Sequence, residues 1–171
     1  VVREVHAAYL AAGADILETN TFGANRLKYG NDLASVVSSG VRAAREAIAD
    51  SGRDAYVAAS IGPLGKLLKP MGDLPFEGAY SLFREIAACA LNAGADALLF
   101  ETFTDLYELK AALLAAKDAC ALPVIATMTF DETGRLLTGA DVRAERLRDR
   151  RRGDDVRAGQ QPAGFGPKQL L

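Results

Sequence analysis

Ala95-Asp96-Ala97-Leu98-Leu99-Phe100-Glu101-Thr102-Phe103-Thr104-Asp105 is the stretch on which the reading of this chain turns. A short apolar run ends in a carboxylate, two threonines, a phenylalanine and an aspartate. It then passes directly into Leu106-Tyr107-Glu108-Leu109-Lys110, which reads as a helix. An apolar run this short suits a strand covered on both faces, as in a parallel sheet. In such sheets the chemistry lies at the carboxyl ends of the strands, where loops and helix N-termini share a crevice. Glu101 stands at such an end, and the rest of the chain reads as further copies of the same unit.

Upstream, residues 1–12 form an alanine-rich helix with Val2, Val5, Tyr9 and Ala12 at helical spacing, stopped by Gly13. Residues 15–20 are a first strand and 21–25 its loop. A helix follows over 33–50, with Val37, Val41, Ala44 and Ile48 on one face. The second strand, 55–61, ends in Gly62-Pro63-Leu64-Gly65, which breaks regular structure and lacks the glycine spacing and lysine-serine pair of a phosphate loop. Residues 66–75 are a loop too elaborate for a minimal strand-to-helix turn, and such loops at strand ends are usually functional. The next helix, 77–93, turns Phe83, Ile86, Ala87 and Ala90 inward.

Downstream of the third strand, Thr104 or Asp105 caps a helix striped by Leu106, Leu109, Leu113, Ala116 and Cys120. The fourth strand covers 123–130 and turns at Asp131-Glu132-Thr133-Gly134. One segment echoes another: Leu10-Ala-Ala-Gly13-Ala14-Asp15 returns as Leu91-Asn-Ala-Gly94-Ala95-Asp96, two units of about 40 residues later. Alternating strands and helices with continuous apolar strands predict an α/β fold on a parallel sheet, open or closed. Units of this size fit a (β/α)₈ TIM barrel of about 250 residues. Four good units are counted, so the expectation is half of a barrel over residues 1–139.

At 171 residues, half of them hydrophobic, the chain can bury one sizeable core. A net charge of −2 gives no reason to expect nucleic acid or an anionic membrane as partner. Two cysteines, Cys89 and Cys120, suit a reducing cytoplasmic setting and read as core fillers. No apolar run approaches the ~20 residues of a membrane span. The chain opens inside a helical pattern without a methionine, and is expected to be part of something longer. Residues 140–163 form an aberrant Arg-rich segment. Between Asp141 and Arg157 stand seven arginines and five acidic residues without an apolar period. A basic nucleic-acid arm, a solvated face and corrupted sequence are three readings of it, and the near-cancelling acids weigh against the first.

Glu101 is the strongest candidate for chemistry, as a ligand for an amino group or as a base. A salt-bridged strand-end glutamate is the bland alternative. Glu18, Asn20 and Thr21 end the first strand equivalently, and Thr127 and Thr129 the fourth. Alternation puts Glu18 and Asn20 on one side. His6, the sole histidine, lies in a helix remote from any strand end, so surface or helix packing is the reading. No Cys-rich or His-rich cluster offers a zinc site.

Ala12-Gly-Ala-Asp15-Ile-Leu-Glu-Thr-Asn20-Thr-Phe-Gly-Ala-Asn25 resembles the homocysteine S-methyltransferase domain, closest to the N-terminal homocysteine-binding module of cobalamin-dependent methionine synthase. Ser60-Ile-Gly-Pro63, Phe100-Glu-Thr-Phe103, Glu108-Leu-Lys-Ala111, Met128-Thr-Phe130 and Leu137-Thr-Gly139 are similar to it in order and spacing. The resemblance implies a (β/α)₈ barrel that transfers a methyl group to the thiolate of homocysteine, forming methionine. It implies zinc held by three cysteines, which keeps the sulfur deprotonated. Methylcobalamin, carried by another domain, is the implied methyl donor, with betaine or S-methylmethionine serving relatives. Cobalamin- and folate-binding modules of a longer chain are the implied partners. Glu101 matches the glutamate that holds the homocysteine amino group, and Asn20 and Thr21 match substrate-binding positions of the same mouth.

The departures are specific. Pro162-Ala163-Gly164-Phe165-Gly166-Pro167 aligns with the family's Asn-Cys-x-x-Gly-Pro, so Ala163 occupies the expected position of the first zinc cysteine. The paired cysteines and the family's glycine-rich first strand have no counterpart. Residues 164–171 are a remnant of the next family motif. No residue is therefore assigned a catalytic or metal-binding role, and this chain alone is expected not to catalyse the reaction. A metal-free amino-acid-binding barrel module, or a methyltransferase with another donor, are the alternatives.

Overall fold

Short apolar runs separated by helices pair side by side in the order in which they occur. The computed structural model describes residues 1–139 and the backbone of 159–161. The chain runs α1 (Val2–Ala11), β1 (Ile16–Glu18), α2 (Arg26–Tyr29), a 3₁₀ turn (Gly30–Asp32), α3 (Leu33–Ser51) and β2 (Tyr56–Ile61). It continues through α4 (Phe76–Ala93), β3 (Ala97–Phe103), α5 (Leu106–Ala119), β4 (Val124–Thr129) and β5 (Gly159–Gln161). All pairings are parallel and the strand order is β1-β2-β3-β4-β5. This is the α/β arrangement expected of a partial (β/α)₈ barrel.

The helices cover one face of the sheet. Leu17, Val57, Ala59, Ile61, Leu98, Phe100, Phe103, Ala126 and Met128 point towards them and are buried. From α4, Phe83 meets Phe100 and Phe103 with ring centroids 6.1 and 5.8 Å apart, in tilted and edge-on geometries favoured by aromatic quadrupoles. Burying each such side chain stabilises the fold by about 1.5–3 kcal/mol. The other face is the concave inner side. There Ile16, Tyr56 and Ile125 are 50%, 58% and 39% exposed.

The internal echo has a structural meaning. Gly13 and Gly94 both take left-handed φ values, 102° and 86°, where a helix must stop and turn into a strand. After each, the aspartate ties the turn to β2 and its approach. The Asp96 carboxylate accepts from the Val57 N–H at 2.7 Å and from Arg45 of α3 at 2.6 Å. The Asp15 carbonyl accepts from the Tyr56 N–H at 2.9 Å, and its carboxylate faces Arg53 at 3.3 Å.

The buried faces of α3 and α4 are those expected, with Ile48 only half-buried. In α5 the buried set is Glu108, Leu109, Ala111, Ala112, Ala115 and Ala116, while Leu106, Leu113 and Cys120 are partly buried against the core. The expectation for α1 was wrong. Val5 and Tyr9 are half exposed, and the buried pair is His6 and Leu10. This helix packs against α3, and its alanines Ala7, Ala8 and Ala11 are exposed, so His6 and Leu10 make its buried line. The 26–32 stretch, to which the sequence pattern assigns no element, forms α2 and the 3₁₀ turn, started by Asn25, whose side chain accepts from the Lys28 N–H at 3.1 Å.

The Arg-rich segment read as aberrant lies outside the described residues, apart from the backbone of β5. There Thr127, Met128 and Thr129 pair with Gly159, Gln160 and Gln161, a strand the sequence reading did not expect. Among the described residues, no helix is long and apolar enough to cross a membrane.

Candidate functional site at the carboxyl ends of the strands

Ser60, at the end of β2, is the hub of the site. Its Oγ donates to Glu101 Oε1 at 2.5 Å. Its N–H donates to Thr19 Oγ1 at 3.0 Å, and its carbonyl accepts from Thr21 Oγ1 at 2.8 Å. Thr19 Oγ1 and Thr21 Oγ1 lie 2.6 Å apart. The polar atoms of one buried serine thus join the ends of β1, β2 and β3. Where β1 runs out at Glu18, the Thr19 hydroxyl takes over as acceptor for the next N–H of β2.

Alternation after Phe100 puts Glu101 on the inner side, and an irregularity in β3 follows it directly. Phe100 and Phe103 both face the helices although they are three positions apart, and the pairing with β4 shifts between them. Thr102 absorbs the extra residue at φ 63°, a left-handed backbone that costs a β-branched residue about 1–2 kcal/mol. Its N–H donates to Thr127 Oγ1 at 3.2 Å, a side chain standing in for a lost ladder partner. Bulges of this kind re-aim side chains beside functional sites. Glu101 is half-buried on the inner side. Partial burial, and then the Glu101 charge, hold the Glu18 carboxyl above the usual range, although Glu18 remains open to solvent. Thr129 Oγ1 is buried with no hydrogen-bond partner among the described residues.

The candidate residues are therefore only partly gathered. Glu101 and Glu18 interact electrostatically, and Ser60 holds Glu101. Thr21 is buried, and its hydroxyl is engaged by Ser60 and Thr19. Asn20 is exposed and lies towards α3: a methyl group added at Gly40 would meet Thr21 Cγ2 at 2.5 Å and Asn20 Oδ1 at 3.2 Å. His6 is buried in α1, far along the chain from the strand ends, and burial lowers its pKa. Ser60 was missed as a site residue, although the strand-end rule that found Glu101 applies equally to β2.

The residues also bear on metal binding. The chain has two cysteines, Cys89 within α4 and Cys120 just after α5, both in the helical layer. Among the described residues, no three His, Cys, Asp or Glu side chains form a group that could hold a metal ion. The described residues therefore do not fit a zinc ion bound by three cysteines.

A parallel sheet with helices outside and polar groups gathered at its strand ends defines a (β/α)-barrel protein. The chain belongs to the homocysteine S-methyltransferase family, whose profile matches residues 1–156. It is 34% identical over 157 residues to the methionine synthase of Mycobacterium tuberculosis (strain ATCC 25618 / H37Rv). It is 33% identical to the methionine synthase of Mycobacterium leprae (strain TN). Each match covers 84% of this chain and 13% of the relative's length. Among solved structures, it superposes on the homocysteine methyltransferase MmuM from Escherichia coli. The TM-score is 0.70 for the apo form and 0.66 for the metallated form, each at 25% identity. The first match covers 85% of this chain and 55% of that one.

Proposed function

We propose that this chain is a homocysteine-binding part of a methionine-synthase-type protein, with Glu101 holding the amino group of homocysteine. The observation that carries the reading is the Glu101 carboxylate at the end of β3, held by the Ser60 hydroxyl and backed by a second carboxylate, Glu18. An ammonium group brings a positive charge and three N–H donors, which a fixed carboxylate accepts with charge-assisted hydrogen bonds. Glu18 adds negative potential on the same inner side. Asn20 and Thr21 complete the mouth in this reading, Asn20 by contact with the amino acid and Thr21 by fixing the end of β1.

Zinc, where the family carries it, supplies a deprotonated homocysteine sulfur ready to accept a methyl group. This chain's two cysteines cannot provide a three-cysteine set, and Ala163 lies outside the described residues. We therefore derive no step through zinc, and read the chain by itself as a binder without turnover. Methylcobalamin carried on another module is the proposed donor. The chain's small share of the methionine synthase relatives supports further cobalamin- and folate-binding modules beside it. The cytoplasm is the proposed setting. One second reading is a metal-free amino-acid-binding module, which an intact coding sequence around Ala163 would favour.

Calorimetric titration of homocysteine into the chain and into Glu101→Gln tests the assignment. The variant is expected to lose about 1.5–3 kcal/mol, the scale of a hydrogen bond to a charged group. Equal affinities would make Glu101 a structural residue, and an absence of binding to either protein would overturn the reading.

A further inference from the structure

The first turn of α5 holds a buried acid that the proposed chemistry does not use. Asp105 is the N-cap, and its side chain accepts from the Tyr107 N–H at 2.8 Å. Glu108, three residues on, has the spacing of a capping box, in which the glutamate turns back to its own helix cap. It does not turn back. Glu108 is 5% exposed, and its Oε1 accepts from the backbone N–H of Leu64 at 2.8 Å, across to the loop that follows β2.

That loop is itself a built object. Leu64 and Leu68 are buried, while Leu67 and Met71 project into solvent. The loop closes on itself through Lys69 N–H to the Leu74 carbonyl and Gly72 N–H to the Leu68 carbonyl, both at 2.9 Å. At its root, the Gly62 N–H donates to the Phe22 carbonyl at 2.7 Å, joining it to the loop after β1. Only Ile61 separates Gly62 from Ser60, the hub that holds Glu101. A buried carboxylate is costly to keep, and an apolar side chain would fill the same space without that cost. Leucine there would leave the Leu64 N–H buried without an acceptor.

We infer that Glu108 is a positioning residue for the mouth, holding the root of the 62–75 loop in place beside Ser60 and Glu101. It rests on the homocysteine reading only for the identity of the ligand that the mouth receives. Burial first, and the Asp105 charge in addition, push the Glu108 carboxyl up to about 7, against the pull of the Leu64 N–H.

The test is amide hydrogen exchange at Leu64, with tryptic cleavage after Lys66, in the ligand-free chain and in Glu108→Leu and Glu108→Gln. Leucine keeps the volume and removes the acceptor, whereas glutamine keeps an acceptor and removes the charge. In the leucine variant, Leu64 should exchange about tenfold faster or more, with Val41 in α3 unchanged. Cleavage after Lys66 should accelerate in parallel, and glutamine should restore both to near the parent value. Parent-like protection of Leu64 in the leucine variant, or failure of glutamine to restore it, would overturn the assignment. No homocysteine is present, so a failed ligand assignment would leave this result untouched.

Discussion

Replacing Glu108 by glutamine should make the chain more stable at pH 8 and leave it almost unchanged at pH 4.5. The Glu108 carboxyl is raised from 4.5 to about 7, chiefly by burial, with the Asp105 charge adding to it. In the unfolded chain it loses its proton near the lower value, and in the folded chain near the upper one. Folding therefore takes up a proton between them. The contribution of the neutral side chain is fully present below pH 4.5, declines as pH rises, and is gone above about pH 7. At 1.36 kcal/mol per pKa unit, the difference amounts to about 3 kcal/mol. Glutamine never ionises and still accepts from Leu64. Urea unfolding followed by circular dichroism at pH 4.5, 6 and 8 measures this. With a denaturant slope of about 1–3 kcal/mol per molar, the midpoint of the variant should exceed that of the parent by about 1–3 M at pH 8. A constant offset across the three pH values would refute the reasoning, because a packing effect does not titrate.

Gly40→Ala gains about 1 kcal/mol of helix propensity but drives a methyl group against Thr21 at 2.5 Å, an overpacking cost of about 1–3 kcal/mol. Thermal unfolding should register a net loss, and a net gain would mean that Thr21 is loosely held. Thr102→Gly relieves the left-handed strain and should raise stability by about 0.5–1 kcal/mol after the greater freedom of glycine in the unfolded chain is subtracted. A loss of stability would show that the threonine side chain secures the bulge. The Arg-rich run between two family-like stretches is the expected product of a shifted reading frame near Ala140, restored near Pro162. Translating the underlying nucleotides in the other two frames should give an amphipathic helix, an apolar strand and an Asn-Cys pair, and stop codons in both would rule this out.

The fold was legible because four apolar runs, each ending in polar residues, alternate with helices of clear periodicity. Val37, Val41, Ala44, Phe83, Ile86, Ala87 and Ala90 all lie where that periodicity puts them. Helix α1 was not legible in the same way, since an alanine-rich surface gives almost no contrast and a single His6–Leu10 line decides its docking. Glu101 could be found from its position after an apolar strand. The bulge beside it could not, because Thr102 has nothing in its identity that announces a positive φ. Ser60 and Glu108 were hidden for a different reason. Their roles depend on partners 41 and 44 residues away, contacts that no local pattern encodes.

The strand order repeats the chain order without a single exchange. New material therefore always lands on the most recent layer: β2 on β1, β3 on β2, β4 on β3. A ribosome releasing this chain would present each strand to an edge that already exists, so no early segment must wait for a distant one. Each strand closes against its immediate predecessor in the chain, so no pairing carries the larger loop-closure entropy of a strand exchanged with a distant one. Growth by accretion also means that a fault in one layer is inherited mainly by the layers that follow it.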